Sequence, residues 1–127
     1  MAFGDIGGPV TTLVLTCKAA DYQGLVDIRK GDAVKLVGSY EVSNKMTNGD
    51  TVFGEALEDC SQAGTPIAVR VRGVCTFAFS GELTVPDGKS GIVGTSQAGK
   101  VRPEAGVDRR GLILRIRPAE KLMDVLL

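Results

Sequence analysis

Apolar residues recur at every second position from Ile67 to Phe79, in the stretch IAVRVRGVCTFAF. Ile67, Val69, Val71, Gly73, Cys75, Phe77 and Phe79 fall on one side, and Ala68, Arg70, Arg72, Val74, Thr76 and Ala78 on the other. A period of two predicts an extended strand. At ~3.3 Å per residue the run would span roughly 43 Å, too long for one strand of a small domain, so Gly73 is read as a bulge, bend or corner and the ribbon as serving two neighbourhoods.

The same alternation places a first strand at about Val10 to Lys18, with Leu13, Leu15 and Cys17 facing one way and Thr12, Val14 and Thr16 the other. A turn at Lys30, Gly31 and Asp32 leads into a strand from Ala33 to Val37, and Tyr40 to Val42 reads as another. Asn48, Gly49 and Asp50 give the best two-residue hairpin signal, ahead of a strand at Thr51 to Ala56. Glu55 to Ala63 has room for one helical turn before Gly64 and Pro66 stop it. Further strands are predicted at Glu82 to Val85, Ile92 to Gly94 and Leu112 to Arg117, the last with Leu112, Leu114 and Ile116 on one side and Ile113, Arg115 and Arg117 on the other. Gln97 to Gly111 reads as the longest loop, and the tail AEKLMDVLL as either a helix or a closing strand.

Many short strands at 8 to 12-residue spacing predict an all-β fold, a single small β-barrel or sandwich over residues 10–127. Residues 1–9, MAFGDIGGP, hold three glycines and a proline, too many for a stable element, and form an expected flexible N-terminal arm. The arm carries Phe3 and Ile6, which leaves two readings: docking onto a partner, or folding back on its own core.

The chain has 127 residues, 17 of them glycine, with 5% aromatic residues. This favours turns over helices. Formal net charge is zero, yet residues 1–63 carry five Lys/Arg against nine Asp/Glu, and residues 64–127 carry ten against six. The asymmetry suits head-to-tail association, unless folding scrambles it in space. Three cysteines without a CxxC, no apolar leader and no long apolar run point to reduced thiols in a protein that neither crosses a membrane nor is secreted.

Histidine is absent, which removes the usual general base and the Ser-His and Cys-His pairs, so the chain is read as a non-enzyme without cofactor or metal. Gly88, Lys89 and Ser90 imitate the end of a phosphate-binding loop, but the position five residues earlier is Leu83, not glycine. Glu58 and Asp59 read as solvated carboxylates. Arg70, Arg72, Arg115 and Arg117 alternate with apolar residues on two strands and would share one surface if those strands were neighbours. Three readings stand for them: a solvated face, carboxylate pairing across a protein interface, or a nucleic-acid track, the last disfavoured by the absence of interleaved aromatics. Arg109 and Arg110 join them as candidate contacts from the 97–111 loop.

The succession KGDAV, VFGEAL, GTPIAVRVRGV and GLILRI, with Gly-x-Pro-Ile-x-Val-x-Val-x-Gly at 64–73 as its most specific piece, resembles the small decoration or cement proteins of tailed-phage capsids. The match covers roughly residues 25–117. The resemblance implies a β-barrel or β-tulip core and a structural virion protein on the outer capsid surface, assembled in the host cytoplasm. Such a protein bridges subunits of the major capsid protein, usually as a homotrimer. On that basis Phe3, Ile6, Arg70, Arg72, Arg109, Arg110, Arg115 and Arg117 are the expected contact residues. A free-standing β-barrel binding module for nucleic acid or a small ligand is the alternative.

Overall fold

The structure, a computed structural model, describes residues 12–22 and 24–127. The described chain is all-β, with ten strands and no helix. Five of them, β1 (Leu13–Ala19), β2 (Ala33–Gly38), β3 (Glu41–Ser43), β4 (Gly54–Ala56) and β5 (Pro66–Arg72), close a barrel in the order β1-β3-β2-β4-β5. The others are β6 (Val74–Ala78), β7 (Gly91–Gly94), β8 (Val101–Glu104), β9 (Leu112–Arg117) and β10 (Leu122–Leu126). They form a three-stranded sheet, β6-β10-β9, and the hairpin β7-β8. The arm at residues 1–9, with Phe3 and Ile6, lies outside the described residues.

The 67–79 run is the ribbon that joins the two halves. Gly73 has φ 109°, in the left-handed region where a side chain is disfavoured, and there β5 passes into β6. Ile67, Val69 and Val71 enter the barrel core with Cys17, Ala19, Val34 and Val42. Cys75, Phe77 and Phe79 enter a second core with Ile92, Ile113, Ile116, Met123 and Val125. One unbroken alternation thus feeds two cores. One edge of the ribbon is occupied end to end: β10 pairs along β6, Leu127 exchanges backbone hydrogen bonds with Gly73, and Leu13 of β1 then lies opposite Arg72.

Gly54 fixes how closely β4 approaches β5. A Cβ there would lie 2.4 Å from the Arg70 carbonyl oxygen, so the small residue is required by contact rather than by conformation.

Four expectations are corrected. Thr47 to Asp50 does make a turn, with Gly49 at φ 96°, but β3 and β4 do not pair because β2 lies between them. The turn's backbone is taken up instead by Gly94. Glu82 to Val85 is not a strand, and no helical turn forms at 55–63. The 97–111 loop contains β8, whose Pro103 is tolerated in a two-stranded hairpin. The C-terminal tail, left open between helix and strand, is the strand β10.

The faces of β9 also differ from the simple alternation. Asp124 lies opposite Arg115 while Val125 lies opposite Ile113, so Leu114 is an extra residue in a β-bulge. Ile113 and Ile116 therefore both point inward, and Leu112 and Leu114 are exposed.

Candidate functional site

The six candidate arginines do not share a face. Arg70 and Arg72 lie on β5 in the barrel, Arg115 and Arg117 on β9 in the three-stranded sheet, and those strands are not neighbours. Most of the six are engaged within the chain.

Arg70 sits opposite Glu55 of β4, and its Nη1 donates to Glu55 Oε1 at 3.2 Å and to the Val74 carbonyl at 3.4 Å. Burial pushes the Glu55 carboxyl up, and the Arg70 charge only partly offsets this. Burial, reinforced by Glu55, pushes the adjacent Cys75 thiol up to about 12, and burial raises Cys17 as well. Thiols so placed stay protonated at neutral pH and are poor nucleophiles.

Arg110 is half-buried and acts as an internal staple. Its guanidinium donates to the carbonyls of Val52, Phe53 and Val71, while its backbone pairs with Ile92. It ties the rim of the barrel to the second half of the molecule. Burial lowers its proton affinity, yet an arginine remains charged at neutral pH.

Asp124 organises the outer face of the three-stranded sheet. Thr76 on one side and Arg115 on the other are its cross-strand partners. Thr76 Oγ1 donates to Oδ1, Arg115 Nε to Oδ2 and Arg117 Nη2 to Oδ1, each at 2.9 Å. Burial alone would raise the Asp124 carboxyl, but the bond from Thr76 and the bonds and charges of the arginines outweigh it and hold it below the usual range. Arg117 also approaches Glu120 at 3.8 Å. Its Nε, like that of Arg70, is buried without a hydrogen-bond partner.

Arg72 and Arg109 are the two that remain outward. Arg72 is exposed and makes no hydrogen bond or ion pair with a described residue; Arg109 makes one long bond, 3.5 Å, to the Gly106 carbonyl. Arg115 is half-outward, its side chain 58% exposed against 12% for Asp124.

Next to the Asp124 ladder lies an apolar row that the alternation of β9 did not reveal. Val74, Leu126 and Leu112 are consecutive cross-strand partners, and the bulge adds Leu114 beside them. Leu112, Leu114 and Leu126 are exposed, and so are Leu13 and Val14 at the start of β1, past the Gly73 corner. Only the bulge brings the β9 leucines outward, and a two-residue period carries no sign of it.

A groove of about 380 Å³ runs between the Lys30-Gly31-Asp32 turn and the sheet, reaching Glu55, Thr76 and Leu122. Burial raises the Asp32 carboxyl, which accepts bonds from the Arg29 amide and the buried Asn44 side chain. Its two acidic residues are therefore both engaged in internal bonds. Among the described residues no three His, Cys, Asp or Glu side chains are grouped to hold a metal ion, and no helix is long and apolar enough to cross a membrane. No protein-family model matches the chain, and no curated protein matches it significantly.

Proposed function

We propose that this chain is a structural protein of a tailed-phage virion that decorates the outer capsid surface and bridges major capsid subunits. The observation that supports this reading best is how the surface is divided. On the three-stranded sheet Asp124 is consumed by its pairs with Arg115 and Arg117, while beside it Leu126, Leu112 and Leu114 are exposed and Val74 is half-buried. A sheet face with its central carboxylate satisfied and an apolar row outward beside it is suited to making contacts. Contiguous exposed apolar surface marks interaction sites. The order of motifs over residues 25–117 supplies the nature of the partner, and several modest contacts repeated over a shell would add up through avidity.

Arg72, Arg109 and the outward part of Arg115 are the charged contacts this reading retains. Arg70, Arg110 and Arg117 act in it by holding the block together. The dispersal of the arginines argues against the alternative of a nucleic-acid module, because a phosphate track needs clustered cations.

The test is co-sedimentation with phage shells that lack their decoration protein. The wild-type chain should pellet with the shells, and Leu112→Glu combined with Leu126→Glu should remain in the supernatant while still folded. Failure of the wild-type chain to bind any such shell, together with a salt-sensitive gel shift on single-stranded nucleic acid, would replace this reading with the binding module.

A further inference from the structure

We propose that the free edge of β1 pairs two copies of this chain about a two-fold axis through Val14. β1 is bound along one edge by β5 from Leu13 to Lys18. On its other edge β3 reaches only Lys18 and Ala19. The hydrogen bonds set the phase: Ala19 exchanges bonds with Thr65 and Gly64 on the β5 side, while the Lys18 amide donates to the Tyr40 carbonyl on the β3 side. Even-numbered residues of β1 therefore turn their backbone groups away from β5. Val14 and Thr16 point theirs where no described residue pairs with them. A strand edge of this kind is a template for another strand.

The sequence of that edge is its own complement. Thr12-Leu13-Val14-Leu15-Thr16 reads the same in both directions. Antiparallel pairing centred on Val14 sets Val14 against Val14 of the second copy, Leu13 against Leu15, and Thr12 against Thr16. This is the self-matching arrangement that a two-fold interface requires. Leu13 and Val14, 44% and 45% exposed, gain cross-strand partners.

Charge agrees. The five residues are uncharged, and the nearest charge on β1 itself, Lys18, would lie about 27 Å along the strand from its counterpart, beyond the screening length of about 8 Å; Arg70 and Arg72 lie on β5, on the far side of β1 from the free edge. The footprint also ends where β3 begins, so the second copy displaces no described strand. The chain's own first nine residues are a poorer occupant, since Gly4, Asp5, Gly7, Gly8 and Pro9 are types depleted in strands. The pairing does not rest on the shell-binding reading, and it would join copies across, not within, the three-fold arrangement that the resemblance implies.

The experiment measures mass in solution and disulfide capture. The full chain should run at an even multiple of 13.3 kDa. Val14→Lys, which opposes two ammonium groups across the axis, should halve that mass without changing the circular dichroism spectrum. Val14→Cys should capture a covalent dimer on mild oxidation, because directly opposed hydrogen-bonded residues have Cα atoms about 5.5 Å apart, within disulfide reach. Thr16→Cys should not, its counterpart being roughly 14 Å away along the strand. The native thiols at Cys17, Cys60 and Cys75 are buried. An odd multiple unaffected by Val14→Lys, or capture at position 14 no better than at 16, overturns the proposal. So does a monomeric full chain that dimerises only when residues 1–9 are removed, since the edge would then belong to the chain's own N-terminal segment.

Discussion

Replacing Asp124 with Asn tests whether the outer face of the three-stranded sheet is held by one carboxylate. Asn keeps the size and one acceptor oxygen, so Thr76 can retain its bond, but the charge facing Arg115 and Arg117 is lost. Arg115 is mostly exposed, and a pair of that kind contributes at most about 1 kcal/mol. Arg117 is more enclosed, with its Nε already lacking a partner, and a hydrogen bond to a charged group contributes about 1.5–3 kcal/mol. Together these give an expected loss of about 3 kcal/mol. With a urea slope of about 1.5 kcal/mol/M, the midpoint should fall by about 2 M at unchanged slope. The loss should also depend on pH. Asp124 is held below its ordinary value of 3.8, so its contribution is complete above that pH and disappears as pH falls through the folded-state value. Wild type and variant should therefore converge in strong acid. A loss below about 0.5 kcal/mol at pH 7, or one independent of pH, would show that the arginines hold their places without the carboxylate.

Glu55 has the opposite sign: its folded-state pKa is raised, so the stability linked to it is complete below its ordinary value of 4.5 and is lost as pH rises through the folded value. Glu55→Gln should flatten the pH dependence of the melting temperature as pH rises above 4.5, and an unchanged slope would discount its burial. Val71→Asp should cost on the order of 3 kcal/mol or more by placing an unpaired charge in the barrel core, read by chemical denaturation; tolerance would mean Val71 faces outward. Gly54→Ala should cost about 1–3 kcal/mol by forcing β4 from the Arg70 carbonyl, visible as a lowered thermal midpoint. Arg110→Ala, which strands three carbonyls at the junction of the two halves, should cost about 2–4 kcal/mol, and a change under about 0.5 kcal/mol would deny it the role of staple.

The fold class was legible because burial on both sides of Gly73 follows the two-residue period without a break. Where a strand departs from that period, the pattern misleads: the bulge at Leu114 is a property of pairing with β10, and nothing within LILRIR announces it. Pro103 hid β8, since a proline lowers strand expectation while leaving room for a short hairpin. Asn48-Gly49 marked a real turn but could not say which backbone would meet it, and Gly94 is 45 residues away. The arginines illustrate the same limit. Their alternation put them on surfaces, but Asp124 and Glu55 claim three of them through cross-strand pairing that the alternation does not specify, and Arg110 reaches three carbonyls from a segment that composition marked as loop.

The shared edge of the β5-β6 ribbon imposes an order of events during synthesis. β1 is made before its half of the ribbon, so the barrel strands can assemble once Arg72 has left the ribosome, whereas β6 must wait for residues 122–126 at the very end of this sequence. For the intervening interval Phe77 and Phe79 have no β10 to cover them, and it is in that window that the nascent chain is most exposed to aggregation.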